Sequence, residues 1–218
     1  ALITHYSLGI ADFMLEQGAK IIMVACNTAS ATAFAALKKH VGSRALVVNV
    51  IDPVVNHLVQ LQHTRRVGVI GTKTTIRSQA YEKKIRAKSG LEVLSMATPL
   101  FVPMIEEGFI YDDISNAIIR AYLSDSPLKN LDALILGCTH YPIIKNQIRK
   151  FYDFDVDVID AGAIVASFLK RSLDEHGLLN PSSSEGGHKF YVSDYTNMFG
   201  KIAKMFFEED IQLEQHNI

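Results

Sequence analysis

The sequence has little with which to staple or anchor itself. Only two of its 218 residues are cysteine, Cys26 and Cys138. That is too few for a disulfide framework, and with only His140 near either one the spacing is not that of a zinc site. A reducing, cytoplasmic setting is the expectation. Neither sign of charge is in excess: 22 Lys and Arg against 23 Asp and Glu leave a net charge of −1. No basic field therefore points to nucleic acid. No apolar run approaches the roughly 20 residues of a membrane span, and no signal-peptide pattern opens the chain. Gly71-Thr72-Lys73-Thr74-Thr75 lacks the full P-loop pattern, so it signals nucleotide binding only weakly. No metal, pyridoxal or nicotinamide site is legible.

What is present is an ordinary globular composition, 48% hydrophobic and 21% charged, in a chain long enough for one large or two small domains. Ala133 to Leu136 is an uninterrupted apolar run, suited to a strand buried on both faces of a parallel sheet. Gly137 allows a tight turn, and Pro142 fits the first turn of a helix. Cys138 and His140 thus sit where a strand gives way to a helix, the place where open α/β sheets bind ligands. Ile21 to Val24, then Ala25-Cys26-Asn27-Thr28, repeat that construction ahead of a helix-prone stretch from Ala29 to Lys39.

Taken in order, the chain opens in a helix carrying Leu2, Ile3, Tyr6, Ile10, Phe13 and Met14, closed by Gly18. A strand is expected over 20–25, a helix from Thr28 to about His40, and a strand over 45–50. Asp52 reads as the N-cap and Pro53 as the first residue of the next helix. A second series follows: strand 66–71, a polar turn and helix over 72–87, strand 91–97, and a loop with one helical turn carrying Glu106 and Glu107. Helix 112–124, with Ile114, Ala117, Ile118, Ala121 and Tyr122 on one face, then leads into the 131–142 stretch. Strand 156–159 and a helix capped by Asp160 complete it. A short strand over 189–192, a helix over 195–207 and a fraying tail end the chain. Alternating strands and helices predict an α/β fold with parallel sheets. Two composition-similar units, roughly 1–50 and 66–159, suggest two lobes whose thiols can face one another across a cleft. The expected division is 1–50 plus 160–218 for the first lobe and 51–159 for the second.

A free thiol titrates at about 8.5. At a helix start, oriented N–H groups lower that value, so both cysteines are expected to ionise readily. A thiolate and a thiol on opposite faces of a tetrahedral carbon can remove a proton from one side and supply one from the other, giving the mirror-image centre. One cysteine at a strand end is ordinarily packing. Two in equivalent settings, followed by Asn27-Thr28 and Thr139-His140, reverse that reading. Thr28 and Thr139 suit plain N-caps, but the same groups can hold a substrate carboxylate. His140 suits a proton partner of the adjacent thiol. Spacing alone selects neither Glu106 nor Glu107.

Val24-Ala25-Cys26-Asn27-Thr28-Ala29-Ser30-Ala31 and Leu136-Gly137-Cys138-Thr139-His140-Tyr141-Pro142 resemble the paired signatures of the glutamate racemases, within the aspartate/glutamate racemase family. Val67 to Thr72, Pro99 to Gly108 and Ile159-Asp160 extend the likeness over nearly the whole chain. The resemblance implies two parallel-sheet α/β lobes with the active site in the cleft between them. It implies cofactor-independent interconversion of L- and D-glutamate by two thiols, supplying D-glutamate for peptidoglycan. It implies Cys26 and Cys138 as the acid/base pair and His140 as an assistant to Cys138. Asn27, Thr28, Thr139 and His140 become substrate contacts, and Glu106 an auxiliary acid. It also brings a peptidoglycan-precursor nucleotide as activator in some members and a homodimer in many. The family's leading Asp-Ser-Gly strand and its Pro-Tyr-Gly segment do not occur here, so the chain is expected to start about fifty residues late. As a fragment it would fold poorly and show little activity. The competing readings are another amino-acid or hydantoin racemase of the superfamily, and a non-catalytic ligand-binding α/β protein.

Overall fold

The computed structural model describes residues 2–217 apart from 112, 125–126, 183–185, 196–199, 201–202, 205–206 and 208–210. A four-stranded parallel sheet lies at its centre. It comprises β3 (Arg66–Gly71), β4 (Glu92–Ala97), β5 (Ala133–Gly137) and β6 (Asp157–Ile159), in the order β4-β3-β5-β6. β5 is buried along its whole length, and the alternation of its side chains explains why it needs no polar residue. Leu134 and Leu136 enter one core with Ile70, Phe101, Ile105 and Ile148. Ala133 and Ile135 enter the opposite core with Val67, Val69, Tyr81 and Ile85. The helices that carry these residues cover the two faces: α6 (Ala80–Arg86) on one, and α7 (Phe101–Glu106), α8 (Asp113–Leu123) and α9 (Lys145–Phe151) on the other.

A smaller parallel sheet pairs β1 (Ile21–Val24) with β2 (Leu46–Asn49). Its core gathers Ile22, Val24 and Val47 with Ala11 of α1 (Leu2–Glu16) and Leu37 of α3 (Phe34–Val41). α4 (Ile51–Leu58) follows β2 and buries Val54, Val55 and Leu58 in the core of the larger sheet. α10 (Gly162–Glu175) packs on α4. The architecture is thus two α/β lobes with parallel sheets. β7 (Phe190–Val192) and β8 (Leu213–Gln215) form a third parallel pair. It lies against α1, where Phe13 meets Tyr191 edge-on at 4.9 Å and stacks on His216 at 3.9 Å. Among the described residues no helix is long and apolar enough to cross a membrane.

Several boundaries differ from the sequence reading. The helix expected over 28–40 is divided into α2 (Asn27–Thr32) and α3. Ser30 Oγ donates to the Val24 carbonyl and Thr32 Oγ1 to that of Thr28, the hydroxyl competition that bends helices. The helix expected over 72–87 is likewise two, α5 (Lys73–Ser78) and α6, because Gln79 adopts a left-handed backbone (φ 56°). Asp52 is not the N-cap of α4. Asn49 Oδ1 instead accepts from the N–H groups of both Ile51 and Asp52. In α8 the buried stripe is Ser115, Ile119 and Leu123, with Ile114 exposed. Ser115 tolerates burial because its hydroxyl donates to the Ile110 carbonyl. The tail expected to fray contains β8, and the helix expected over 195–207 lies largely outside the described residues.

Candidate active site

Both cysteines stand where a strand ends. Cys26 follows β1 as the exposed residue before α2, with an extended backbone (φ −80°, ψ 125°). Cys138 follows β5 and is 7% exposed. The next residues run into a short 3-10 turn, Tyr141–Ile144, with Pro142 in its first positions. The ends of β3 and β5 lie close because residue 137 has no side chain. A Cβ there would stand 2.7 Å from the Ile70 carbonyl oxygen.

The thiols do not share one environment. Burial pushes the Cys138 thiol up. The His140 and Thr139 backbone N–H groups pull it down, and negative charge on Cys26 and on Glu106 adds to the rise. The expectation of a lowered value at this helix start is therefore corrected for Cys138: desolvation outweighs the N–H groups. Ala25 and Asn27, which flank Cys26, line a cavity of about 340 Å³ together with Cys138 and Thr139.

Around Cys138 the side chains form a chain of contacts. Its Sγ lies 3.8 Å from His140 Nδ1, and His140 Nε2 lies 3.1 Å from Glu106 Oε1 at the end of α7. Tyr141, fully buried, shares a 2.7 Å hydrogen bond with the Thr98 hydroxyl and packs edge-on against Phe101. These contacts seat the first turn of α7 on the Cys138 turn, which is how Glu106, the last residue of that helix, reaches His140. Thr139 is exposed, and with His140 it lines a second, largely apolar cavity of about 640 Å³ bounded by β7, β8 and Met14.

Around Cys26 the contacts cross between the lobes. Thr28 Oγ1 lies 3.0 Å from Thr72 Oγ1 and 3.1 Å from Thr75 Oγ1, and those two are 3.0 Å apart. Thr72 also caps α5, accepting from the Thr75 N–H. Asn27 is 3% exposed, and its Oδ1 accepts from the Tyr81 hydroxyl at 2.7 Å. Thr72 and Thr75 were no part of the expected site. Their signal was position: Thr72 follows β3, the strand beside β5, so it falls at the same sheet edge as Cys138. Among the described residues no three His, Cys, Asp or Glu side chains converge to hold a metal ion.

Residues 4–169 match the Asp/Glu/Hydantoin racemase family. The chain is 40% identical over 205 residues to a glutamate racemase of Geobacter metallireducens, covering 94% of this chain and 75% of that one. It is 38% identical over 210 residues to one of Aquifex aeolicus, covering 96% and 78%. Among solved structures, the glutamate racemase of Francisella tularensis in complex with D-glutamate superposes with a TM-score of 0.89 at 37% identity, over 100% of this chain and 80% of that one. The glutamate racemase of Thermus thermophilus in complex with beta-chloro-D-alanine gives 0.86 at 34%, with the same coverage. Sequence and fold agree, and the chain belongs to the Asp/Glu/hydantoin racemase family.

Proposed function

We infer that this protein interconverts L- and D-glutamate by moving a proton between two thiols, without an organic cofactor, and so supplies D-glutamate for peptidoglycan. The observation that carries this reading is the convergence of the two strand-end turns: Ala25 and Asn27, on either side of Cys26, line one cavity together with Cys138 and Thr139. Similarity to named glutamate racemases supplies the substrate. We assign residues 1–50 with 160–218 to the first lobe and 51–159 to the second.

The thiolate of one cysteine removes the Cα proton of glutamate, and the S–H of the other donates its proton to the opposite face. The C–H bond broken and the C–H bond formed balance, and the pair is left with its protonation exchanged. Cys138, which burial keeps protonated, is the donor when Cys26 is the base. In reverse Cys138 must lose its proton, and His140, paired with Glu106, stands within reach to ease that loss. The hydroxyls of Thr28, Thr72 and Thr75 are placed to bind a carboxylate of the substrate, with Asn27 and Thr139 as further contacts. A carbon acid this weak depends on such preorganised donors.

The test is incubation with L-glutamate in heavy water. Solvent deuterium should enter at Cα as D-glutamate accumulates, and Cys26→Ala or Cys138→Ala should abolish two-way racemisation. Full activity in either variant would refute the two-thiol reading, while preference for aspartate or a hydantoin would move the substrate within the superfamily. Two finer proposals rest on the family resemblance: activation by a peptidoglycan-precursor nucleotide, read from rates with and without it, and a homodimer, read by sedimentation.

A further inference from the structure

One buried phenol touches both sulfur-bearing turns. Tyr81 lies on α6 and is 3% exposed. Its hydroxyl donates to Asn27 Oδ1 at 2.7 Å, and Asn27 directly follows Cys26. Its ring occupies the space beside Gly137, which directly precedes Cys138: a Cβ at position 137 would stand 3.5 Å from Tyr81 Cε2. One side chain of the second lobe thus meets the neighbour of one thiol with its oxygen and the neighbour of the other with its ring.

The two contacts differ in kind. A buried amide oxygen without a donor is strongly disfavoured, so the phenol fixes which way Asn27 points, with Oδ1 toward α6 and Nδ2 turned away. The ring contact is steric and sets how near α6 lies to the end of β5. Burial also pushes the phenol pKa far up, so it remains a neutral donor throughout the working pH range.

We propose that Tyr81 is a positioning residue that holds the Cys26 and Cys138 turns at their working separation, acting through Asn27 on one side and Gly137 on the other. This rests on the racemase reading above. Of the two contacts only the hydrogen bond to Asn27 is removed by deleting the hydroxyl, so a variant that keeps the ring tests that arm alone.

Tyr81→Phe keeps the ring against Gly137 and deletes only the donor. The expected result is a folded protein whose racemisation rate falls about tenfold or more. The primary isotope effect with Cα-deuterated substrate should rise for the enantiomer deprotonated by Cys26 and not for the other. Combining it with Asn27→Ala should give a double variant little worse than Asn27→Ala alone. A second measurement needs no activity: alkylation of the intact protein by iodoacetamide, followed by mass spectrometry at each cysteine. Its rate at Cys26 should change roughly threefold or more, with Cys138 unaffected. Wild-type alkylation at Cys26, or effects of the two substitutions that multiply independently, would overturn the proposal. If the wild-type protein does not racemise glutamate, the functional reading fails, and the alkylation comparison still decides the role of Tyr81.

Discussion

His140 Nε2 stands 3.1 Å from Glu106 Oε1, which turns the opposite ring nitrogen toward the Cys138 thiol, 3.8 Å away. The carboxylate accepts from Nε2–H, which leaves the Nδ1 lone pair facing the thiol to take up its proton. Glu106→Gln keeps the shape and removes that charge. The two enantiomers have equal free energy, so kcat/KM must fall by the same factor in both directions. The expected factor is about tenfold to a hundredfold. Isotope effects on L- and on D-glutamate then show that the slowed step belongs to Cys138.

Thr75 is 2% exposed, and its hydroxyl meets those of Thr28 and Thr72. Thr75→Val preserves shape and deletes one donor. A hydrogen bond to a charged group is worth about 1.5–3 kcal/mol, so KM for glutamate should rise about tenfold or more. Thr74→Val, on an exposed neighbour, should leave KM unchanged. Initial rates over a range of glutamate concentrations decide between these outcomes.

Cys138 also sets a pH dependence of stability. Its thiol titrates higher in the fold than in the unfolded chain, and burial is the leading cause. The stability this contributes is fully present below about pH 8.5 and is lost as pH rises through the folded value. The Tm of the wild-type protein should therefore decline more steeply above that pH than the Tm of Cys138→Ser. Parallel curves would show that the thiol is not desolvated.

Gly137→Ala places a methyl 2.7 Å from the Ile70 carbonyl oxygen, a backbone atom that cannot step aside. β3 and β5 must separate, and overpacking of this kind costs about 1–3 kcal/mol. Urea denaturation should show a lower midpoint, and racemisation should fall further than stability alone explains, because Cys138 is the next residue.

The strands were legible where burial on two faces leaves no room for polar residues. Ala133 to Leu136 feeds two cores with alternate side chains, so its sequence is apolar throughout. The same logic located both thiols at strand ends. It missed the interruptions at Ala33 and Gln79, which depend on hydroxyl hydrogen bonds and one left-handed backbone rather than on periodicity. It missed the cap of α4, since Asn49 sits inside the strand that precedes the helix. The direction of the Cys138 titration was misjudged because a helix start is visible in sequence while the depth of burial is not. Tyr81 was illegible for a related reason: its partner lies 54 positions away, on the helix that follows a strand of the other sheet.

The threonine triangle has a consequence for how an anion arrives. Three hydroxyls own three protons, and a closed ring of three links consumes all of them. Unliganded, that corner offers lone pairs to the solvent, and a carboxylate gains a donor only by rupturing one link. Opening a link exchanges a neutral hydrogen bond for a charge-assisted one, roughly twice as strong, so a carboxylate recovers what the rupture costs while a neutral acceptor does not.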